Sequence, residues 1–242
     1  MIAVLRVIFL LPLIILACIG GIFICLLRPF HRNNTYLMAQ MLAKFAPLFG
    51  IKLIVRIPKD LTTSSKVIIA NHQNNFDVVT ICAGVTRGVV SLGKKSLIWV
   101  PFFGQLYWLS GNILIDRKNK TKAAGTIAQT AEKMLEGGLS VWIFPEGTRS
   151  RGRGLLPFKT GAFHTAIQAK VDVIPVVMSS SESISLNRWN NGSLIIESLP
   201  AMPVAQMSKE NVRELSKTAH SNMQQKLNEL DDEVNELNKK TA

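Results

Sequence analysis

The hydrophobic pattern of the chain changes twice, and the two changes divide it. From Val7 to Leu27 no charged residue occurs and no polar stripe develops, over 21 residues. Such a run is long enough to cross a bilayer once as a helix. Arg6 precedes it, and Arg28, His31 and Arg32 follow it. The heavier basic flank lies on the C-terminal side, which predicts that the rest of the chain faces the cytoplasm. A cleaved signal peptide would want a basic leader and a small-residue cleavage site, and neither is clear here. The next stretch, Tyr36 to Val55, is apolar but broken by Lys44, Pro47, Gly50 and Lys52. This pattern predicts a short interfacial helix, with the two lysines reaching lipid headgroups. One span, or a hairpin dipped into one leaflet, fits these two stretches equally.

After Pro58-Lys59-Asp60 the pattern becomes that of a globular domain. Short apolar runs predict strands at Val67–Ala70, Gly88–Leu92, Asn112–Asp116, Ser140–Phe144, Asp172–Met178 and Ser193–Glu197. A helix is predicted over Lys122–Glu136, where Ala123, Ile127, Ala131, Met134 and Leu135 share a face and Gly137-Gly138 ends it. Another fits Gly161–Lys170, and Val78–Ala83 could start one more. Leu97 to Ile115 is uncharged, but Pro101, Gly104, Gln105, Ser110, Gly111 and Asn112 interrupt it. Its aromatics, Trp99, Phe102, Phe103, Tyr107 and Trp108, predict an irregular apolar surface that meets lipid. In the tail, Val212, Leu215, Ala219, Met223, Leu227, Leu230, Val234 and Leu237 step by three or four, so Ser208–Asn238 reads as a helix packed on the domain. Strands alternating with helices predict an α/β fold: a mostly parallel sheet flanked by helices, with an N-terminal membrane-associated helical segment. The expected division is residues 1–58 for the anchor and 59–242 for the α/β domain.

Composition narrows the partners. The formal net charge of +12 calls for anionic ones, and 48% hydrophobic content favours anionic membrane lipid over nucleic acid. A nucleic-acid module would want exposed aromatics among its basic residues on a soluble fold, which Val7–Leu27 argues against. The three cysteines, Cys18, Cys25 and Cys82, have neither metal-ligand nor disulfide-framework spacing.

The candidate chemistry lies at strand ends, where open α/β sheets gather their ligands. His72 follows Val67–Ala70, and Asp77 comes five positions later, around a turn. A carboxylate there can accept one ring N–H and leave the other nitrogen as a base. Asp77 as a helix N-cap is the competing reading. Asp116-Arg117 ends a second strand, and Phe144-Pro145-Glu146-Gly147-Thr148-Arg149-Ser150 a third. Arg forks match phosphate oxygens two at a time, and Gly147 lets backbone approach a ligand. Glu146 could position an arginine or a substrate hydroxyl. Lys94 and Lys95 follow a fourth strand, and one of them could face the site. Arg151 and Arg153 read as headgroup contacts. His164 and His220 lack an obvious carboxylate partner and read as structural or surface residues.

Four blocks, in order, resemble the glycerolipid acyltransferase family: Asn71-His72 with Asp77, Gly111 to Arg117, Phe144 to Ser150, and Val173-Ile174-Pro175-Val176. Gly93-Lys94-Lys95-Ser96-Leu97 and Phe158-Lys159-Thr160-Gly161-Ala162-Phe163 extend the likeness, which is greatest to the bacterial lysophosphatidic acid acyltransferases and runs from about Leu5 to Lys240. The resemblance implies transfer of an acyl group from acyl-CoA or acyl carrier protein to the sn-2 hydroxyl of lysophosphatidic acid, giving phosphatidic acid. It implies His72 as base, Asp77 as its holder, and Arg117, Glu146, Gly147, Thr148 and Arg149 around the substrate phosphate. Lys94 or Lys95, with backbone N–H groups, would meet the oxyanion or the phosphate. Direct transfer would require no bound cofactor and no metal. The implied location is the cytoplasmic face of a bacterial inner membrane.

Overall fold

The apolar runs become buried strands of one sheet. The computed structural model describes residues 1–240, apart from the side chain of Lys120, so the expected domain end at Ala242 lies outside the described residues. Among these residues seven strands occur: β1 (Ile51–Arg56), β2 (Val67–Ala70), β3 (Val89–Lys94), β4 (Ile113–Ile115), β5 (Ser140–Ile143), β6 (Val173–Met178) and β7 (Gly192–Ser198). Their order across the sheet is β1-β7-β6-β2-β5-β3-β4. β6, β2, β5, β3 and β4 run parallel, and β7 turns back antiparallel to β6 while pairing parallel with β1. β2, β5 and β6 are buried along their whole length, as strands covered on both faces must be.

Alternation divides β2 between two cores. Val67 and Ile69 face helices α4 (Lys120–Gly137), α5 (Gly161–Ala169) and α6 (Val212–Lys239), meeting Met134, Phe163 and Met223. Ile68 and Ala70 face the other way, with Trp142, Val176 and Met178, onto Ala46 and Ile81. The helix that could have started at Val78 is instead two short 3₁₀ turns, Asn75–Val78 and Ile81–Gly84.

The sheet already includes a strand before residue 58. Tyr36–Val55 is not one interfacial helix: it holds most of α2 (Asn34–Ala43), a 3₁₀ turn (Ala46–Phe49) and most of β1. Gly50 makes the turn into β1 with φ +72, and a Cβ there would collide with the Trp189 carbonyl. The strand begins where Ile51 enters the core and Lys52 leaves it.

Helix α1 (Ile2–Leu27) lies against the domain at both ends. Near its C-terminus Cys18, Gly21 and Cys25 are buried on a small core with Met38 of α2 and Leu106 of α3 (Phe103–Leu109). A Cβ on Gly21 would come within 2.5 Å of the Met38 sulfur, so glycine sets that approach. Near its N-terminus Arg6 is only 6% exposed. Its guanidinium donates to the carbonyls of Leu186 and Trp189, each at 3.1 Å, and of Ser185 at 3.4 Å. It also lies 5.7 Å from the Trp189 ring centroid, and Ala3 N–H donates to Asn187 Oδ1. The face of α1 turned away from the domain is apolar and exposed, through Phe9, Leu16, Phe23 and Leu27.

This latch has a measurable consequence. Arg6→Leu removes the donors from three carbonyls of the 185–189 loop. Amide hydrogen exchange across residues 185–191 should accelerate by roughly 10- to 100-fold, about 1–3 kcal/mol, with β2, β5 and β6 unchanged. Unchanged exchange in that loop would show that Arg6 does not hold it.

Candidate active site

The C-terminal ends of β6, β2 and β5 are neighbours on one edge of the sheet, with those of β3 and β4 beside them. Every strand-end residue singled out by sequence therefore comes to one edge. After β2 the chain turns sharply. The side chain of Asn74 caps the following 3₁₀ turn, accepting from Phe76 N–H at 2.8 Å. That turn carries Asp77 back onto His72, with Nδ1 and Oδ2 2.5 Å apart. The cap is thus Asn74, and Asp77 is freed for the histidine. Oδ2 also accepts the Gln73 backbone N–H at 2.7 Å, and the buried Oδ1 has no hydrogen-bond partner. Nδ1 must carry a proton to donate to this carboxylate, which leaves the lone pair on Nε2. The imidazole stacks on Phe144, ring centroids 4.2 Å apart, which fixes its plane.

The loop after β5 is laced to this turn by backbone bonds. Ser150 N–H donates to the His72 carbonyl and Arg151 N–H to the Gln73 carbonyl. Glu146 completes the lacing. Its Oε1 accepts from His72 N–H at 2.7 Å and its Oε2 from Leu156 N–H at 3.0 Å. Burial pushes its carboxyl up to about 7, against the pull of those two donors, and the charge of Asp77 pushes the same way. Sequence placed Glu146 at the phosphate. In the structure both oxygens are taken by loop backbone, so it holds two loops together.

The cations stand differently. Arg117 Nη1 donates to the Gly147 carbonyl at 2.6 Å. The guanidinium is largely buried, and desolvation draws its pKa below the usual arginine value, though it remains charged. The Nε of Arg149 is buried with no partner. Among the described residues neither arginine forms an ion pair. Thr148 is exposed beside them. Lys94 and Lys95 are exposed at the end of β3, on the same edge. Arg153, read from sequence as a headgroup contact, instead folds back on its own turn: Nε donates to the Ser150 carbonyl at 2.7 Å and Nη2 to the Arg149 carbonyl at 3.2 Å.

Two groups here went unassigned by sequence. The first is a buried amide network behind the dyad. Asn71 exchanges two bonds with the backbone of Met178, and Gln73 Nε2 donates to the carbonyls of Met178 and Ser179. Gln73 Oε1 accepts from Ser181 N–H at 2.7 Å and from its hydroxyl at 3.0 Å. The dyad turn is thereby bound to the end of β6. The second is Lys159, whose side chain lies on Gly147.

The described geometry has counterparts. A family model described as Acyltransferase matches residues 52–179, which include the dyad turn, the arginine loop and the end of β6. The chain is 53% identical to the 1-acyl-sn-glycerol-3-phosphate acyltransferase of Escherichia coli (strain K12), over 92% of this chain and 91% of that protein. It is 49% identical to the enzyme of the same name from Haemophilus influenzae, over 97% and 98%. The human 1-acyl-sn-glycerol-3-phosphate acyltransferase alpha is 32% identical, over 83% and 72%. In fold the chain matches the crystal structure of the 1-acyl-sn-glycerophosphate (LPA) acyltransferase PlsC from Thermotoga maritima, with TM-score 0.62 at 22% identity, over 81% and 82% of the two chains. Identity of this extent along nearly the whole length, with the family's matched region enclosing the dyad, makes the chain a member of the acyltransferase family, alongside the 1-acyl-sn-glycerol-3-phosphate acyltransferases.

Proposed function

We propose that His72 and Asp77 carry out direct acyl transfer to the sn-2 hydroxyl of 1-acyl-sn-glycerol 3-phosphate, giving phosphatidic acid. The observation that carries this reading is the 2.5 Å contact of Nδ1 with Oδ2, which leaves Nε2 as the free base. Nε2 takes the hydroxyl proton as the oxygen attacks the thioester carbonyl of the acyl donor. Asp77 steadies the imidazolium that forms. The tetrahedral intermediate expels the thiolate, which takes the proton back from Nε2, so one O–H and one C–S bond are exchanged for one C–O and one S–H. Lys94, Lys95 and loop N–H groups are the candidates for the developing oxyanion. Arg117 and Arg149 hold the acceptor's phosphate: among the described residues both are cations without a carboxylate partner, on the loop edge beside the base. The donor is acyl-CoA or acyl carrier protein, and no step calls for a bound cofactor.

The membrane is part of the same reading. Trp99 is 82% exposed, Val100 and Phe102 beside it in sequence are exposed too, and so is the Phe30–Trp108 pair, whose ring centroids are 5.1 Å apart. Together with the outer face of α1 they form an apolar surface suited to acyl chains. α1 touches the domain at both ends, and the domain's polar surface cannot follow it across a bilayer. The helix therefore lies in one leaflet, on the cytoplasmic face of the inner membrane.

Purified full-length protein, acyl-CoA and lysophosphatidic acid should release free thiol and form phosphatidic acid. His72→Ala should lower turnover by about 10²- to 10⁴-fold, and Asp77→Asn nearly as much, since an amide favours the wrong tautomer. A folded His72→Ala enzyme keeping more than about a tenth of the wild-type rate would remove His72 as the base.

Topology is tested separately. A protease-cleavable tag at Met1 should be cut from the same side of sealed vesicles as the α/β domain. Cleavage only from the opposite side would mean that α1 crosses.

A further inference from the structure

We infer that Lys159 is a third cation of the acceptor's phosphate site, positioning the substrate from across Gly147. The inference rests on the function proposed above and adds a residue to it.

Gly147 has φ +70, in the left-handed region. A Cβ built there would lie 2.8 Å from Lys159 Nζ and 3.0 Å from its Cδ and Cε. The space that glycine leaves open is thus filled by the lysine side chain. Its root is pinned to the same loop, because Lys159 N–H donates to the Pro145 carbonyl at 2.8 Å. Arg117 Nη1 meets the carbonyl of this same glycine at 2.6 Å. Chain dimensions then place the lysine and arginine tips within roughly 8 Å of each other, near enough for one phosphate to accept from both.

No carboxylate of the described residues forms an ion pair with these tips. Among the described residues Lys159, like Arg117 and Arg149, is absent from every ion pair. The adjacent acid, Glu146, is turned toward His72 N–H and Leu156 N–H. Cations gathered around one glycine repel one another until an anion sits among them. A phosphate monoester, with three free oxygens and nearly two charges at neutral pH, fits three such donors.

Two substrates carry phosphate: the acceptor and a coenzyme A donor. Placement favours the acceptor. Its hydroxyl and its phosphorus are four bonds apart, so the two lie within roughly 5 Å. Gly147 directly follows Glu146, which is bonded to the backbone of the base itself. A phosphate held over Gly147 therefore leaves the hydroxyl near His72.

Steady-state kinetics of the full-length enzyme in neutral detergent micelles test this. Lys159→Met keeps the length of the stem and removes the charge, at an exposed position where folding is not at risk. It should raise KM for lysophosphatidic acid about tenfold, the size of one charge-assisted contact in a partly wet site, while kcat and the KM for acyl-CoA stay within about twofold. Lys159→Arg should restore most of the loss. Gly147→Ala should displace the lysine, so Gly147→Ala with Lys159→Met should be no worse in KM than Gly147→Ala alone. An unchanged KM for the acceptor, or a fall in kcat alone, would overturn the role of Lys159. A rise confined to the KM of acyl-CoA would place the lysine on the donor's phosphates instead and overturn it equally. Arg117→Ala and Arg149→Ala serve as controls. If they too left the acceptor's KM unchanged, the phosphate assignment in the wider proposal would fail, and not the lysine alone.

Discussion

One buried carboxylate holds the site in one piece. Glu146 receives the backbone N–H of His72 on one oxygen and that of Leu156 on the other. The dyad turn, the arginine loop and the segment leading to Lys159 therefore meet at a single side chain. A charged group suits this task because two N–H donors on one carboxylate are stronger than the same donors on a neutral acceptor. Burial opposes that charge and raises the carboxyl to about 7. Burial outweighs the two donors, and the donors limit how far the carboxyl rises. Removing either loop from the other would expose a carboxyl that has no further reason to be buried.

The sheet was legible in the sequence because its central strands are covered on both faces. Val67–Ala70 and Val173–Met178 are unbroken apolar runs for that reason. β1 was hidden because its apolar residues continue an apolar stretch and only Gly50, in its left-handed turn, separates the two. His72 and Asp77 could be paired from sequence because a tight turn closes over five residues. The role of Glu146 could not. Its partners are backbone N–H groups, which carry no residue signature, and His72 lies 74 positions away. The Gln73 contacts with Ser181 span 108 positions and exist only because β2 and β6 are neighbours. Lys159 stood in a recognisable block, yet its place over Gly147 follows from a φ value.

The positive charge is divided between the surface and the interior of the fold. A net charge of +12 favours anionic partners for the molecule as a whole. Arg117 and Arg149 are half-buried on the loop edge, and Arg153 is spent on its own turn. Arg6 is withdrawn as well, held by carbonyls at the end of an otherwise apolar helix. Position in the fold, more than residue type, separates a cation that attracts lipid from one that shapes the protein.

The segment between β6 and β7 has two grips. At its start Ser179 and Ser181 hold Gln73, next to the base, and farther on Leu186 and Trp189 hold Arg6 of α1. The apolar helix α1 and the dyad turn are thus fastened to the same short piece of chain. Cutting the helix away to make the protein soluble would leave one grip with nothing to hold, and the slack would end at the wall of the active site. Removing the helix and keeping the dyad turn taut are competing demands on one strap.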